Sequence, residues 1–403
     1  MGRNYPCPRT TYAPAANPAP SSAAAAQSAA QSALAAVALS ALLSVSCAPS
    51  AWAADDNKVN VWNWSDYIAA DTVDNFKQDT GMDINYVLFD SNELVEARLL
   101  SGSTGFDAIM MTSYYVPRLA QAGALDKFDK SLIPNYDTLD PNRMALLATL
   151  DPGNQYAIPY TEISLGIGYN TEKIKEIFGP DFKVDSWDLL FKPENSKKLK
   201  QCGIAVLDSP FEVISTVQHY LGKDPQSEER SDYNEAQKLL IALAQNVAYF
   251  HSSRYINDLA SGDICVAIGY SGDILQAKDR AQAAHRPYDI EYVFPKEGSL
   301  LWFDCWIMPM NAPHYASGHK WINYLMEPDV AATISKETRY ILPVKPAIER
   351  IDPALKENTS VNLTPEMLKT AYFPQSPTAR QTRAHNRVWN AMKLNSNTDS
   401  EWE

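Results

Sequence analysis

Residues 61–68 read VWNWSDYI, and they end an apolar strand pattern with two aromatic rings, a hydroxyl and a carboxylate on one short turn. Aromatic faces attract cations and pack against methylene groups, while a carboxylate offers a charge-assisted hydrogen bond. Trp64, Ser65, Asp66 and Tyr67 are therefore candidates for binding an amine. Taken alone, the stretch also fits a second interpretation, a buried aromatic corner with an exposed aspartate.

The residues around this stretch alternate between strand-like and helical patterns. In order they are strand 59–62, helix 71–78, strand 84–89, a helix from Glu93 and strand 106–111. Such alternation predicts βαβ units around a parallel sheet. Ligands bind such sheets beyond the carboxyl ends of the strands, where residues 64–66 and 112–115 fall.

The length of 403 residues suggests two domains. Extended segments at 156–160 and 166–170 leave the first region, and a second α/β stretch follows over about 170–279. A later apolar strand at 300–308 precedes a helix at about 319–326. We therefore expect two α/β regions joined by several crossings of the chain.

Residues 1–53 differ in composition from the rest of the chain, since they are rich in Ala and Ser and carry two arginines as their only charges. An apolar run at 32–48 precedes the small-x-small sequence AWA at 51–53. This pattern predicts a secretory signal cut before Ala54, and the run is too short for a convincing membrane span. Cys47 leaves a lipid anchor open as an alternative, and the true translation start is also open.

The overall composition is that of a globular acidic protein. The chain is 45% hydrophobic and 21% charged, and its formal net charge is −13. The leader holds no acidic residue, so its removal leaves a more acidic protein. This charge disfavours nucleic acid as a partner and favours cationic ligands.

Motifs for catalysis, metals and cofactors are missing from the sequence. It lacks GxxxxGK[ST], HExxH and GxSxG, and GYSGD at 269–273 lacks the final glycine of a nucleophile elbow. The six histidines are scattered, and no CxxC or EF-hand pattern occurs. We therefore expect no metal ion and no cofactor. Outside the leader the cysteines are Cys202, Cys265 and Cys305, of which two can pair in an oxidising compartment.

Short polar and aromatic motifs follow one another along the chain. They are NWSDY (63–67), FDSNE (89–93), GSTGFD (102–107), LDSPFE (207–212), IGYSGD (268–273) and WFDCW (302–306). In this order the motifs resemble those of the polyamine-binding proteins of bacterial ABC importers, most closely the putrescine-binding type, over about 59–392. The resemblance implies a two-lobed periplasmic binding-protein fold with a multi-strand hinge and a ligand cleft between the lobes. It also implies a monomer that delivers its ligand to a membrane permease.

The resemblance, combined with the composition, predicts the domain boundaries. They are a leader at 1–53, lobe 1 at 54–160 plus 281–327, lobe 2 at 161–280 plus 328–393, and a tail at 394–403. The hinge crossings would then lie near Tyr160, Arg280 and Glu327. In the same way Cys202 and Cys265 match the two positions that form a disulfide in the putrescine-binding relatives, which leaves Cys305 as a buried thiol.

An aliphatic diamine needs carboxylates for its two ammonium groups and an apolar sleeve for its stem. By resemblance, Asp304 with Ser65 and Asp66 would hold one ammonium, and Glu212 with Asp273 the other. The remaining predicted site residues are Trp64, Tyr67, Thr112, Tyr114, Tyr270, Trp302 and Tyr340. Alternatives exist for two residues, because Asp273 fits a helix cap and Trp302 fits a core ring. Asp304, inside an apolar run, would be costly to bury unless a cation meets it.

Two departures from the putrescine-binding pattern, and one match to it, bear on selectivity. Tyr270 stands where those relatives carry Trp, and the pair Tyr114 and Tyr115 is similar to the spermidine-binding branch. Asp273 matches the putrescine-binding relatives. We expect its effect on selectivity to outweigh that of the tyrosine pair, so that putrescine is favoured over spermidine. The rival hypothesis is a secreted enzyme that acts on amines or glycans and uses two of the carboxylates as acid and base.

Overall fold

The computed structural model describes residues 57–396. Its strands are β1 (Lys58–Trp64), β2 (Asp83–Phe89), β3 (Ala108–Thr112), β4 (Leu125–Asp126), β5 (Ile158–Asn170), β6 (Ile204–Val206), β7 (Tyr249–Phe250), β8 (Val266–Tyr270), β9 (Ile290–Val293) and β10 (Leu301–Pro309).

The α-helices are α1 (Thr72–Thr80), α2 (Asn92–Leu100), α3 (Val116–Gln121), α4 (Pro141–Leu147), α5 (Thr171–Phe178), α6 (Asp188–Phe191), α7 (Pro193–Leu199), α8 (Pro210–Tyr220), α9 (Arg230–Ala244), α10 (Tyr255–Ser261), α11 (Ser271–Ala283), α12 (Tyr315–Leu325), α13 (Pro328–Thr338), α14 (Lys345–Ile348), α15 (Pro353–Lys356), α16 (Pro365–Thr370) and α17 (Ala379–Lys393). The predicted leader lies outside the described residues, as does the predicted tail beyond residue 396.

The first group of strands has the order β2-β1-β3-β10-β5. β1 pairs in parallel with β2 and with β3, and the helices α1 and α2 connect these strands, so the predicted βαβ units are present. β10 runs antiparallel between β3 and β5. Its register sets Asp304 opposite Thr112 on β3 and Thr161 on β5. The sheet itself therefore positions the Asp304 carboxylate beside a threonine hydroxyl.

The strand β5 belongs to both groups of strands. Its first part pairs with β10, and Leu165–Asn170 pairs with β8 and β9. β8, β6 and β7 then continue the second group in parallel. The two extended segments expected from the sequence are thus one continuous strand. The expected two-lobed α/β fold is confirmed.

The strand pairing bears on one predicted boundary. β9 lies within the segment 281–327 that was expected in lobe 1, yet it pairs with the second half of β5. We therefore propose that the chain returns to the first lobe after β9, between residues 293 and 301, instead of near Arg280.

The core runs through the central strands. All nine residues of β10 are buried, because the strand lies inside the sheet and is covered on both faces. Asp304 is its only carboxylate. Within residues 57–396 no helix has the length and apolar character needed to cross a membrane.

One disulfide joins two elements of the second group. Cys202 follows α7, Cys265 precedes β8, and the two are bonded with a Cα–Cα distance of 5.5 Å. Cys305 is a free, buried thiol. The predicted pairing and the predicted burial of the third cysteine are both confirmed.

Candidate functional site

A single cavity lies where the carboxyl ends of β1, β3 and β8 meet the start of β10 and the first turns of α8 and α11. It offers about 70 Å³ to the centres of water-sized molecules. Because one water needs about 10–15 Å³ on this measure, the cavity has room for several waters or one small aliphatic molecule.

Ten of the twelve residues predicted as ligand contacts line this cavity. They are Trp64, Ser65, Tyr67, Thr112, Glu212, Tyr270, Asp273, Trp302, Asp304 and Tyr340. They come from six separate stretches of sequence, which the fold brings together at one end of its strands.

Asp304 is held at the β10 end of the cavity and is 4% exposed. The Thr112 hydroxyl donates a hydrogen bond of 2.9 Å to its Oδ1, and the side-chain amide of Asn92 donates in turn to that hydroxyl at 2.9 Å. Burial raises the pKa of Asp304 to about 6, although Thr112 and other nearby donors act in the opposite direction. The carboxylate therefore carries an unfavourable desolvated charge near neutral pH.

Asp273 lies in the first turn of α11, where two tyrosine hydroxyls hold it. Tyr255 donates to Oδ2 at 2.7 Å and Tyr340 donates to Oδ1 at 2.9 Å. Tyr270 is the N-cap of this helix, so the side chain of Asp273 is not the cap that the alternative interpretation required. Burial raises the pKa of Asp273 to about 6 against the effect of the two hydroxyls.

A glycine makes the contact between Tyr340 and Asp273 possible. A Cβ atom on Gly272 would stand 2.5 Å from the ring of Tyr340, closer than real side chains approach. Only glycine lets this ring lie against the start of α11 and place its hydroxyl on Asp273. Gly272 therefore has a role in shaping the cavity.

Glu212 occupies the first turn of α8 and is 2% exposed. The Tyr114 hydroxyl donates to its Oε1 and the Tyr270 hydroxyl donates to its Oε2, each at 2.9 Å. Burial raises the pKa of Glu212 to about 7, while the two tyrosines and Ser209 lower it by smaller amounts.

The three carboxylates Glu212, Asp273 and Asp304 all lack a positively charged partner among the described residues. Among residues 57–396, no lysine, arginine or histidine forms an ion pair with Glu212, Asp273 or Asp304. Their hydrogen-bond donors are neutral, and the amino ends of α8 and α11 contribute only partial positive charge. Buried carboxylates without a counter-ion are costly, so a cation that enters the cavity would relieve all three.

Aromatic rings form the walls between these carboxylates. The ring centroids of Tyr67 and Tyr340 are 5.4 Å apart, and those of Tyr270 and Trp302 are 5.7 Å apart. Trp64 packs on Phe89 at 4.2 Å between centroids. Trp302 is both deeply buried and on the cavity wall, so the core interpretation and the site interpretation of this ring hold together.

Two predicted contacts lie away from the cavity wall. Asp66 adopts a left-handed backbone with φ of 55°, and its carboxylate forms a 2.7 Å ion pair with Arg280 of α11. Its charge is thus already partnered, which is why it does not join Ser65 in the cavity. Tyr114 is 1% exposed and lies behind Glu212, to which it donates its hydroxyl.

Sequence reasoning missed other parts of the wall. The cavity is also lined by Phe89 at the end of β2, Glu93 in the first turn of α2 and Ser209 at the N-cap of α8. All three belong to motifs that carried the resemblance, but these three residues were not singled out within them. Ser252 and Ser253 also line the cavity, and their local sequence gave no signal.

The geometry and the sequence comparisons agree on the class of protein. Residues 71–362 match the model of the family described as bacterial extracellular solute-binding protein. The chain therefore belongs to the bacterial extracellular solute-binding proteins.

Named relatives narrow this class. The chain is 42% identical over 354 residues to the putrescine-binding periplasmic protein of Escherichia coli strain K12. The aligned residues cover 88% of this chain and 95% of that protein. It is also 42% identical over 356 residues to the putrescine-binding periplasmic protein of Pseudomonas aeruginosa strain UCBPP-PA14, which covers 88% and 97%. The predicted resemblance to polyamine-binding proteins is confirmed.

A solved structure shares the fold. The protein from Listeria monocytogenes that is named as a spermidine/putrescine ABC transporter superposes with a TM-score of 0.75 at 28% identity. The match covers 84% of this chain and 99% of that chain.

Proposed function

We propose that this protein captures a polyamine outside the cytoplasmic membrane and delivers it to an ABC-type permease. One observation carries the proposal: Glu212, Asp273 and Asp304 line one small cavity whose lining, among the residues that the structure describes, includes no lysine, arginine or histidine. A diamine would bring two positive charges to these three carboxylates. Its four-carbon stem would pack against the aromatic walls.

Putrescine is the favoured ligand in this proposal, ahead of spermidine. The cavity is small, and Asp273 is held by two hydroxyls as a fixed anchor for a short diamine. A desolvated carboxylate–ammonium pair contributes more than one additional ring contact. The two relatives at 42% identity are both named as putrescine-binding proteins.

Export and delivery complete the proposal. The leader at 1–53 would direct the chain to the periplasm, where the relatives are named as residing. The protein would act as a monomer whose two lobes close over the ligand and present the closed form to the permease. Reopening of the hinge would release the amine.

Thermal unfolding with candidate ligands tests the ligand class. At 100 times its Kd a ligand adds about 2.7 kcal/mol to the free energy of unfolding. For a chain of this size that raises Tm by several degrees. Putrescine and spermidine should produce the shift, whereas glutamate and maltose should not. A shift with glutamate alone would mean that the ligand class is wrong.

The enzyme hypothesis predicts chemical conversion of the amine, whereas the binding hypothesis predicts that the amine is released unchanged. Two of the three carboxylates, one protonated and one ionised, would act as acid and base in such an enzyme. Prolonged incubation with putrescine or spermidine, followed by quantitative recovery of the unchanged amine, would exclude chemistry on these substrates. Appearance of a product would replace the binding proposal.

A further inference from the structure

The hydroxyl of Tyr114 donates a hydrogen bond to Glu212, which lines the cavity, while the Tyr114 ring itself does not reach the cavity wall. The ring centroid lies 4.8 Å from that of Phe211 and 6.3 Å from that of Trp302. Its backbone carbonyl accepts a hydrogen bond from Ser376. Packing and backbone together fix the direction in which the hydroxyl points, which is toward Oε1 of Glu212.

Glu212 is thereby held at both of its oxygens. Tyr114, from the 3₁₀ turn Ser113–Tyr115 after β3, takes one oxygen, and Tyr270, from the end of β8, takes the other. The two tyrosines come from different groups of strands. The carboxylate therefore cannot rotate away without breaking two hydrogen bonds of 2.9 Å.

Other groups around Glu212 also affect its pKa, some raising it and some lowering it. Ser209, the N-cap of α8, stabilises the ionised form, while the negative charge of Glu93 on α2 opposes it. Tyr115 and Tyr372 lie near enough to Glu212 to feel its charge, and burial raises the pKa of both phenols, so they stay neutral. The Tyr115 hydroxyl itself donates to Glu93 at 3.0 Å. With desolvation as the largest effect, the pKa of Glu212 is about 7. Near neutral pH the empty protein is thus divided between a protonated and an ionised Glu212.

We propose that Tyr114 is a positioning residue that acts on the ligand only through Glu212, and that this clamped glutamate makes amine capture dependent on release of a proton. The inference rests on the proposed polyamine function. When an ammonium reaches the cavity, its charge favours the carboxylate, and the proton that Glu212 held in part of the population leaves for solvent. Affinity should therefore fall as the pH drops below neutrality.

In this proposal Tyr114 does not touch the ligand, so it does not select spermidine over putrescine by direct contact. A hydrogen bond to a charged group contributes enough to move a pKa by about one pH unit. Removing the Tyr114 hydroxyl should raise the pKa of Glu212 by that amount. The pH at which amine affinity is half lost should then move upward by about one unit, for putrescine and spermidine alike.

Calorimetry with putrescine on the full-length mature protein tests this dependence. Titrations between about pH 5.5 and 8, in buffers with different ionisation enthalpies, give both the affinity and the number of protons released. In the wild type we expect about half a proton to be released from Glu212 near pH 7, since its pKa is about 7. Glu212→Gln should abolish that release.

Two phenylalanine variants separate positioning from a general loss of a hydroxyl. Tyr114→Phe keeps the ring and its packing, and should shift the pH profile upward. Tyr220→Phe is the matched control, because Tyr220 lies on the same helix as Glu212 and donates to Asp188 at 2.8 Å outside the cavity. The control should leave the profile unchanged.

Several results would overturn the inference. An unshifted profile in Tyr114→Phe would remove its role, and a loss of spermidine affinity alone would make it a direct contact. Should Tyr114→Phe fail to fold, a proton release near pH 7 that is as large in Glu212→Gln as in the wild type would still refute the inference. Asp273 and Asp304, with pKa values of about 6, should supply only a small part of the release at that pH. If wild-type protein binds putrescine with the same affinity at every pH, this inference is wrong but the polyamine function stands. If it binds putrescine at no pH, both this inference and the polyamine function are wrong.

Discussion

Replacing Asp304 by asparagine should weaken amine binding strongly while making the empty protein more stable. Asparagine has the same shape and keeps an oxygen that accepts the hydrogen bond from Thr112. It cannot carry the negative charge that a buried ammonium needs. Truncating one side of a buried charge pair costs about 2–5 kcal/mol, which is roughly 30-fold to several thousand-fold in Kd.

The stability of the empty protein should change in the opposite direction. Burial raises the pKa of Asp304 from 3.8 to about 6, and this difference corresponds to about 3 kcal/mol. Since the folded state binds more protons than the unfolded state between these values, wild-type stability falls as the pH rises through them. The penalty is absent below about pH 3.8 and fully present above about pH 6. A neutral asparagine side chain avoids this penalty, so Asp304→Asn should melt several degrees higher at pH 8.

Calorimetric titration with putrescine and thermal unfolding at about pH 5 and pH 8 measure both effects. Asp107→Asn is an informative control, because Asp107 is fully buried outside the cavity and already accepts hydrogen bonds from Asn60 and His314. That control should destabilise the protein and leave the affinity for putrescine unchanged. Unchanged putrescine affinity in Asp304→Asn, together with no gain in stability at pH 8, would refute the electrostatic reasoning.

Three further variants test other parts of the structure. Asp273→Ser should weaken putrescine binding more than spermidine binding; equal losses for the two ligands in calorimetry would show that Asp273 does not set the preference. Gly272→Ala should push Tyr340 off Asp273 and lower putrescine affinity at least several-fold, since a Cβ would stand 2.5 Å from the ring; wild-type affinity would contradict that packing. Replacing both Cys202 and Cys265 by serine should lower the free energy of unfolding by about 4 kcal/mol in urea, because the bond closes a loop of 63 residues; a loss below about 1 kcal/mol would speak against that role.

Local patterns predicted the strands and helices well because burial follows the period of each element. The predicted strand 84–89 is Asp83–Phe89, and the predicted strand 300–308 is Leu301–Pro309. The apolar run around Asp304 correctly marked a buried carboxylate, since no surface strand has such a composition. The path of β5 was harder, because its two halves pair with different strands and read as separate segments.

Contacts within the site were less predictable, because they join residues that are far apart in sequence. Tyr255 was not a candidate, yet it donates to Asp273. Tyr114 was expected in the cleft, but its contact with Glu212, 98 residues away, puts it behind the carboxylate. Asp66 was expected to bind the ligand, and its partner Arg280 lies 214 residues away. Local sequence does not specify which of several hydroxyls or charges the fold will bring to a given carboxylate.

The most direct test of polyamine capture is native mass spectrometry of the mature protein, exported by bacterial cells and purified without refolding. We predict a population whose added mass equals putrescine or spermidine, and an empty population that becomes fully loaded when putrescine is added. Asp304→Asn should lose the adduct under the same conditions. A bound anion, sugar or amino acid, or a wild-type protein that stays empty in the presence of putrescine, would contradict the proposed function.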